Sequence, residues 1–335
     1  MHKIKSWYID FLEKKNLNTG EMVFALMLRL LSFIYAAIIS ARNLFYDLGL
    51  FPVYHSDKKV ISIGNLSWSG SGKTTLAILL HEKLSTSRKL TVLRRGYGKD
   101  EEELLKEKGI KVFSSPDRAS LTKKLFNVFD LFILDDGFQY RKLGRDINIV
   151  VMGMRELNKK WRILPAGIFR EPLSSLKRAD ILIINYKDEA ANFSEIKNKL
   201  QIKYPHLSVY GACYKFKQIS DLDGRKIDIS SLKDKKIAAL AAIGYPQGFF
   251  NQITKIGVKV EDAITYPDHY EFTSAEFEAL ENRLKKESVD YCLITHKDKY
   301  HLPLNNHKVN FYIFEIEMVI DEESKFLEEI SKKIN

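Results

Sequence analysis

Three features of the sequence predict an α/β fold with a parallel sheet domain and a second, smaller α/β domain. Short apolar runs alternate with helical patterns, a glycine-rich turn joins the first strand to the next helix, and a second series of strands and helices follows. Strands that alternate with helices typically form a parallel sheet covered on both faces. With 335 residues, of which 45% are hydrophobic, the chain is long enough for two cores.

The predicted organisation has three parts, with a domain boundary near residue 210. These parts are an N-terminal membrane-associated helical segment at residues 1–45, a sheet domain with the glycine-rich turn at 46–210, and the smaller α/β domain at 211–335. We see no low-complexity tract or internal repeat, so we expect a short, ordered linker.

Apolar runs and helical spacing predict the elements of both domains. In the larger domain, strands are predicted at residues 59–63, 90–93, 111–113, 131–134, 147–152 and 180–185. A helix is predicted at Lys73–Leu84, whose apolar face is formed by Leu76, Leu79, Leu80 and Leu84. In the smaller domain, strands are predicted at 237–241, 291–295 and 309–314, and helices at 247–256 and 274–286.

The apolar stretch Met22–Ser40 has nearly the length of a membrane span. Arg29, near its middle, would cost about 2.5–3.5 kcal/mol at the bilayer centre. At helical spacing, Arg29, Ser32, Ala36 and Ser40 form a narrow, weakly polar stripe. This pattern is typical of a helix that lies in the membrane interface, and a buried helix of the first domain is the alternative. We do not expect a cleavable signal peptide, because mixed polar residues precede the stretch.

The net charge of +10 and the pI near 9.2 predict attraction to polyanions. Charge alone does not choose among nucleic acid, an anionic membrane and a phosphorylated substrate. Cys213 and Cys292 stand far apart in the sequence, without a second pair at metal-ligand spacing. We therefore expect neither a disulfide framework nor a structural zinc site, and a reducing, cytosolic setting.

The glycine-rich turn after the first predicted strand has the composition of a phosphate-binding turn. Small residues let consecutive backbone N–H groups point at a phosphate, a lysine reaches its outer oxygens and a hydroxyl is a ligand for Mg²⁺. Ser67 occupies the position of the first glycine in the strict G-x-x-x-x-G-K-[ST] pattern. The sequence thus predicts a P-loop NTPase-type domain that binds nucleotide phosphates through Gly70, Ser71, Gly72, Lys73, Thr74 and Thr75.

A second half of this nucleotide site is predicted at the end of another strand. The apolar run 128–134 ends in Asp135 and Asp136. A carboxylate in this position holds the Mg²⁺ shell in P-loop enzymes. We predict that Thr74, Asp135 and Asp136 serve the metal.

At this point the sequence resembles a known family, the tetraacyldisaccharide 4'-kinases. The resemblance is carried by the runs GNLSWSGSGKT, RRGYG, LDDGFQYRKLGRD, LPAGIFREP, AIGYPQGFF and PDHYEFT, in this order. It implies transfer of phosphate from ATP, with Mg²⁺, to the 4' hydroxyl of tetraacyldisaccharide 1-phosphate, which gives lipid IVA in lipid A synthesis. It also implies two α/β domains around a cleft and a location at the cytoplasmic face of the bacterial inner membrane. Neither nucleic acid nor an obligate protein partner is expected.

The resemblance also implies roles for individual residues. Arg170 and Glu171, from the REP run, are expected to line the phosphoryl-transfer centre together with Lys73. Gln139 is expected to contact the sugar lipid, and we extend this substrate-binding role to Asn65 and Arg141.

The family's general base is an aspartate paired with a histidine, and the matching residues here are Asp100 and His269. The segment that precedes Asp100 is shorter than in the family, so an N-cap of a helix at residues 101–108 is the alternative. For His269 the alternative is a structural loop histidine. His296 stands where the family has an acid, which places that acidic role in doubt.

Three other functions are compatible with parts of the sequence. A GTPase-like switch is suggested by Ile183–Asp188, which has a transposed form of the guanine-reading N-K-x-D order. Another small-molecule kinase shares the turn and the strand-end aspartate, but does not need the apolar N-terminal stretch. A nucleic-acid-binding ATPase is suggested by the basic pI, although the sequence contains no recognised RNA or DNA module.

Overall fold

The structure is a computed structural model that describes residues 7–8, 11–12, 14, 16–68, 70–186, 192–268, 270–304 and 307–335. The chain divides into two compact units. The larger unit contains Asp10–Lys99, Leu105–Cys213 and Met318–Asn335. The smaller unit contains Met1–Ile9, Asp100–Leu104 and Tyr214–Glu317.

The larger unit begins with the long helix α1, Thr19–Asp47. Asn18 and Glu21 form a capping box at its N-terminus, which satisfies backbone N–H groups that have no partner within the helix. Only 6% of its most apolar window is buried, and Leu28 and Asn43 are its buried residues. Because so little of the helix is buried, the alternative of a buried core helix is wrong. By length and composition, the helix could cross a membrane.

The predicted polar stripe of α1 is not a single exposed face. Ser32 and Ala36 are half-buried, and the Ser32 hydroxyl donates a hydrogen bond to the Ile163 carbonyl oxygen at 2.7 Å. Arg29 and Ser40 are exposed. The exposed side of α1 is dominated by large apolar residues: Met22, Val23, Phe24, Leu26, Met27, Leu30, Leu31, Phe33, Ile34, Ile38, Leu44 and Phe45.

The remaining elements of the larger unit alternate between strands and helices. They are β1 (Lys59–Gly64), α2 (Lys73–Leu84), β2 (Leu90–Arg94), α3 (Lys99–Glu107), β3 (Val112–Ser114), α4 (Arg118–Leu125), β4 (Leu131–Asp135), β5 (Ile147–Gly153), α5 (Met154–Leu157), β6 (Ile181–Asn185), α6 (Phe193–Lys203) and the start of β7 (Ser208–Ser220). Of these, α3 places residues 100–104 in the smaller unit. The C-terminal helix of the chain, Glu323–Ile334, also belongs to the larger unit.

The strands of the larger unit pair in parallel in the order β7, β6, β5, β1, β4, β2, β3. Strand β1 therefore lies between β4 and β5, with Ile63 beside Asp135 of β4. All residues of β2, β4 and β6 are buried, as expected for strands covered on both faces. This order brings the carboxyl ends of β1 and β4 together at a point where α/β proteins bind ligands.

The smaller unit also alternates strands and helices, with β8 (Lys226–Ile227), β9 (Ile237–Ala241), α7 (Pro246–Lys255), β10 (Asp262–Thr265), α8 (Ser274–Lys286), β11 (Tyr291–Thr295) and most of β12 (Asn310–Ile320). The last three residues of β12 belong to the larger unit. The parallel strands of the smaller unit have the order β10, β9, β11, β12. Successive residues of β11 face different cores. Ile294 packs with Phe277 and Leu280 of α8, whereas Leu293 packs with Phe249 and Ile253 of α7.

Most predicted elements are found at nearly the predicted bounds, and the mostly parallel sheet confirms the α/β fold class. Strand β12 extends beyond the predicted end, to Ile320. Strands β7, β10 and the two-residue β8 were not predicted. Lys215 and Lys217 interrupt the apolar pattern of β7, and β10 is short with a single buried residue, Ile264. The buried face of α2 is the predicted one.

Candidate active site

The phosphate-binding turn lies between β1 and α2. Gly72 has a φ of 98°, in the left-handed region that favours glycine, and α2 begins at the next residue, Lys73. No side chain caps this helix N-terminus within the part of the chain that the structure describes. Its free N–H groups and the helix dipole form a site for an anion.

The end of β1 is packed tightly against the turn that follows β4. A Cβ atom at Gly64 would overlap Phe138, so only glycine fits there. The backbone N–H of Gly137 donates a hydrogen bond to the Ile63 carbonyl oxygen at 2.8 Å. These contacts hold the two predicted strand-end carboxylates beside the phosphate-binding turn.

Asp136 is the strand-end carboxylate that faces the basic side chains. It lies 3.6 Å from Nζ of Lys73 and 3.0 Å from Nη1 of Arg170, and its side chain is 35% exposed. Its φ of 49° is a left-handed conformation that aspartate tolerates better than most residues. Burial raises the pKa of Asp136, but Lys73 and Arg170 outweigh that effect and hold it below its ordinary value.

Asp135 is engaged differently. Its carboxylate accepts a hydrogen bond from Nε of Arg94 at 2.9 Å, and both side chains are buried. It also accepts a hydrogen bond from the backbone N–H of Asp136 at 3.0 Å. Asp136 is therefore the accessible carboxylate of the pair, whereas Asp135 is committed to a buried ion pair.

The segment before Arg170 is attached to the phosphate-binding turn by its backbone. The Arg170 N–H donates to the Leu66 carbonyl oxygen at 2.7 Å, and the Trp68 N–H donates to the Ile168 carbonyl oxygen at 3.1 Å. These bonds fix the position from which Arg170 reaches Asp136. The structure thus brings together Lys73, Asp136 and Arg170. Their catalytic and metal-binding roles stay predictions.

Of the three predicted substrate-binding residues, Asn65 and Gln139 contact each other. Asn65 is buried at the end of β1, and Nε2 of Gln139 donates to its carbonyl oxygen at 2.9 Å. Arg141 instead donates to the C-terminal part of α1, at the Asn43 carbonyl oxygen and the Asp47 carboxylate. Their substrate-binding roles stay predictions.

Glu171 is fully buried and its carboxylate has several partners. Burial raises the pKa of Glu171, but the Arg178 charge and the hydrogen bonds outweigh this effect and lower it. The geometry gives Glu171 a structural contact with α1, and its predicted place at the transfer centre stays a prediction. Oε2 accepts hydrogen bonds from Arg178 Nη2 at 2.9 Å, Ser175 Oγ at 2.9 Å and Asn43 Nδ2 at 2.8 Å.

Comparison with known proteins decides the family. The sequence matches the tetraacyldisaccharide-1-P 4'-kinases over residues 24–109 and 100–335. A tetraacyldisaccharide 4'-kinase of Aquifex aeolicus is 32% identical over 72% of this chain and 81% of its own length. Another, from Bdellovibrio bacteriovorus, is 30% identical over 81% of this chain and 87% of its own length.

The chain belongs to the tetraacyldisaccharide 4'-kinase family.

A solved structure of the family agrees with this membership. The "apo" form of LpxK from Aquifex aeolicus in complex with ATP superposes with a TM-score of 0.72 and 27% identity. The alignment covers 93% of this chain and 100% of that chain. The predicted family and enzyme class, a kinase, are therefore confirmed.

The predicted general base of this family member lies in the smaller unit. Asp100 is buried, with Oδ2 at 3.6 Å from Nε2 of His301. It is the second residue of α3, which begins at Lys99, so the alternative reading of Asp100 as an N-cap is wrong. His269 lies outside the described residues. His296 stacks on Tyr300 with ring centroids 6.1 Å apart.

The predicted alternative of a guanine-reading segment is only partly described, because Lys187 and Asp188 lie outside the described residues. Asn185, at the end of β6, is placed 3.4 Å from the carbonyl oxygen of Ser71 in the phosphate-binding turn. Its side chain therefore faces the phosphate-binding turn.

The sequence analysis assigned no role to three arginines that contact the end of β4 and the turn after it. Arg94 pairs with Asp135, and Arg118 stacks over the Tyr140 ring at 4.0 Å. Arg145 donates to the Tyr140 carbonyl oxygen at 2.6 Å, and burial, with nearby arginines, lowers its pKa to about 10. Arg94 and Arg145 could have been singled out from the sequence, because both lie in runs that carry the family resemblance.

Proposed function

We propose that this chain transfers the γ-phosphoryl group of ATP to the 4' hydroxyl of tetraacyldisaccharide 1-phosphate and so produces lipid IVA. One observation carries the proposal: Lys73, Asp136 and Arg170 converge at an uncapped helix N-terminus. A fixed cluster of this kind suits phosphoryl transfer, which depends mainly on positioning and charge stabilisation. In the reaction, the 4' oxygen forms a bond to the γ-phosphorus and the bond to the β,γ-bridging oxygen breaks, with ADP as the leaving group.

Each side chain has a defined task in this reaction. Lys73 holds the β- and γ-phosphate oxygens, and Arg170 stabilises negative charge on the moving group. Asp100 accepts the proton of the sugar hydroxyl, because a neutral hydroxyl is a poor nucleophile near neutral pH. His269 is proposed to orient Asp100.

The residues present fit a Mg²⁺ ion. Magnesium prefers oxygen ligands and usually takes only one or two carboxylates together with substrate phosphates. Thr74 supplies a hydroxyl beside Lys73, and Asp136 supplies the accessible carboxylate. We propose that these two residues hold the ion. Asp135 supports the site through its hydrogen bond from the Asp136 N–H. When bound, the ion neutralises charge on the phosphates.

The exposed apolar side of α1 supports a membrane location. A surface of this kind is unusual on a soluble protein and matches an amphiphilic substrate that resides in a bilayer. We propose that α1 lies at the cytoplasmic face of the inner membrane and that the basic chain is attracted to its anionic lipids.

Transfer of labelled γ-phosphate tests the function. Purified protein in detergent micelles is incubated with labelled ATP and tetraacyldisaccharide 1-phosphate, and lipid and ATP products are separated. We expect labelled lipid with the native chain and none with Lys73→Ala. Lys83→Ala, at the far end of the same helix, is the matched control and should keep full activity. Hydrolysis of ATP without labelled lipid, or transfer to a soluble sugar only, would contradict the proposal.

A further inference from the structure

His301 and Asp100 form a largely buried pair within the smaller unit. Their side chains are 12% and 4% exposed, and Nε2 of His301 lies 3.6 Å from Oδ2 of Asp100. This distance exceeds that of an ordinary hydrogen bond but suits an ion pair when the imidazole is protonated. The Coulomb attraction of such a pair is stronger away from water than at the surface.

The backbone of His301 is fixed by a tight turn after β11. The Asp298 carboxylate accepts hydrogen bonds from the Thr295 hydroxyl at 2.6 Å and from the Ala242 N–H at 3.0 Å. The His301 N–H donates to the Asp298 carbonyl oxygen at 3.0 Å. The ends of β9 and β11 therefore hold the turn that presents His301.

Other charged groups surround the pair. Lys297 lies 3.4 Å from the Glu101 carboxylate. Burial lowers the pKa of Lys297, but the attraction of Glu101, Asp100 and Asp268 outweighs it and raises the pKa. Burial raises the pKa of Asp298, and the His301 charge opposes that rise. His301 and Lys297 thus face a cluster of carboxylates that includes Asp100, Glu101 and Asp298.

We propose that His301 is a positioning residue that holds the Asp100 carboxylate ionised and in a fixed orientation. The inference rests on the proposed function, in which Asp100 accepts the proton of the acceptor hydroxyl. A base works only when it is deprotonated and correctly aimed, and an adjacent cation favours the ionised form. In this proposal His301 acts on the reaction through Asp100. It also lies outside the runs by which the sequence resembles the family.

The test combines single variants with a double-mutant cycle in the full chain. We measure kcat, KM for ATP and the pH profile of lipid phosphorylation for His301→Gln, for Asp100→Asn and for both together. His301→Asn is a second variant, with a shorter polar side chain. The matched control is His307→Gln, an exposed histidine of the same unit. Circular dichroism establishes whether each variant is folded.

We expect His301→Gln to lower kcat about 10-fold with an unchanged KM for ATP, because the base is displaced while the nucleotide site is intact. Loss of the cation removes an attraction that favours the ionised carboxylate, so the acidic limb of the profile should move to higher pH. In the Asp100→Asn background, His301→Gln should have no further effect. His307→Gln should match the native chain.

Several outcomes would overturn the proposal. Unchanged kcat and pH profile in both His301 variants would do so, and so would additive effects in the cycle. Loss of the folded state in both variants would assign His301 to the stability of the turn instead. If Asp100→Asn itself keeps full activity, the proposed base is wrong. If Asp100→Asn is inactive while His301→Gln keeps full activity, the base is correct and only the positioning role of His301 is wrong.

Discussion

Nη1 of Arg170 lies 3.0 Å from Oδ2 of Asp136 and 3.2 Å from its Oδ1, so one guanidinium nitrogen contacts both carboxylate oxygens. Lys73 approaches the same carboxylate to 3.6 Å. The carboxylate is thus the counter-ion of both cations, which are proposed to contact phosphate. Asp136 therefore holds the two cations close together, whereas the neighbouring Asp135 pairs with Arg94.

Asp136→Asn should mainly reduce activity, whereas Asp135→Asn should mainly reduce stability. Asp136→Asn should lower kcat about 100-fold or more at little cost in stability, because the accessible carboxylate is lost. Asp135→Asn should destabilise the fold by about 3–5 kcal/mol, because Arg94 is left buried without its charge partner. Kinetics of lipid labelling and urea unfolding measure the two effects, and equal losses in both variants would contradict the assignment.

Arg170→Lys should not preserve activity. Lysine is a point charge and does not reproduce a guanidinium that reaches two oxygens from a fixed backbone. We expect kcat to fall about 10³-fold, within the range for an arginine that stabilises the transition state, and KM for ATP to change little. Arg88→Lys is the control and should be neutral, because Arg88 is a half-buried residue just after α2 that donates to the Asn335 side chain. A near-native rate for Arg170→Lys would exclude the proposed role.

Glu171→Gln should affect stability more than chemistry. The neutral amide leaves Arg178 without its buried charge partner, which costs about 3–5 kcal/mol. Asn43→Ala removes only one hydrogen bond to the same carboxylate and should cost less, about 1–3 kcal/mol. Thermal and denaturant unfolding provide the values. A Glu171→Gln protein with native stability but no activity would return this residue to the transfer centre.

The same carboxylate predicts a pH dependence of stability. The pKa of Glu171 is lower in the folded than in the unfolded chain, so the unfolded state binds more protons as the solution is acidified. The stabilisation of the fold by ionised Glu171 is fully present above the ordinary glutamate pKa. It is lost as the pH falls through the lower pKa that Glu171 has in the folded chain. Unfolding free energies measured from neutral to acidic pH should fall less steeply for Glu171→Gln than for the native chain.

Phe33→Asp tests the exposed side of α1. Phe33 is 75% exposed, so the substitution should leave the fold intact. Burial of an aromatic side chain contributes about 1.5–3 kcal/mol, so vesicle binding should weaken roughly 10- to 100-fold. Ile202→Asp alters an apolar residue of α6 that is 81% exposed and serves as the control. Equal binding of both variants to anionic vesicles in a sedimentation assay would argue against α1 as the membrane surface.

The sequence was most informative where a residue's role depends on its immediate neighbours. Gly72, Lys73 and Thr74 follow a strand and begin a helix, so their placement at an uncapped N-terminus could be predicted. The choice between Asp135 and Asp136 could not, because it depends on Arg94, which is distant in the sequence and adjacent only after β2 pairs with β4.

Long-range pairing also explains the other surprises. Glu171 is followed by Pro172 in the REP run, and one of its three hydrogen-bond partners, Asn43 on α1, lies 128 positions away. His301 meets Asp100 only because residues 100–104 group with the C-terminal part of the chain. Local composition contains no record of such contacts.

Arg170 and Glu171 are neighbours in the chain but contact different parts of the larger unit. One reaches the carboxylate beside the phosphate-binding turn, and the other binds Asn43 near the end of α1. A single peptide unit therefore connects the apolar helix to the reaction centre. The helix cannot be treated as a detachable tether: exchanging it for an unrelated hydrophobic anchor should restore attachment to vesicles without restoring a correctly held arginine.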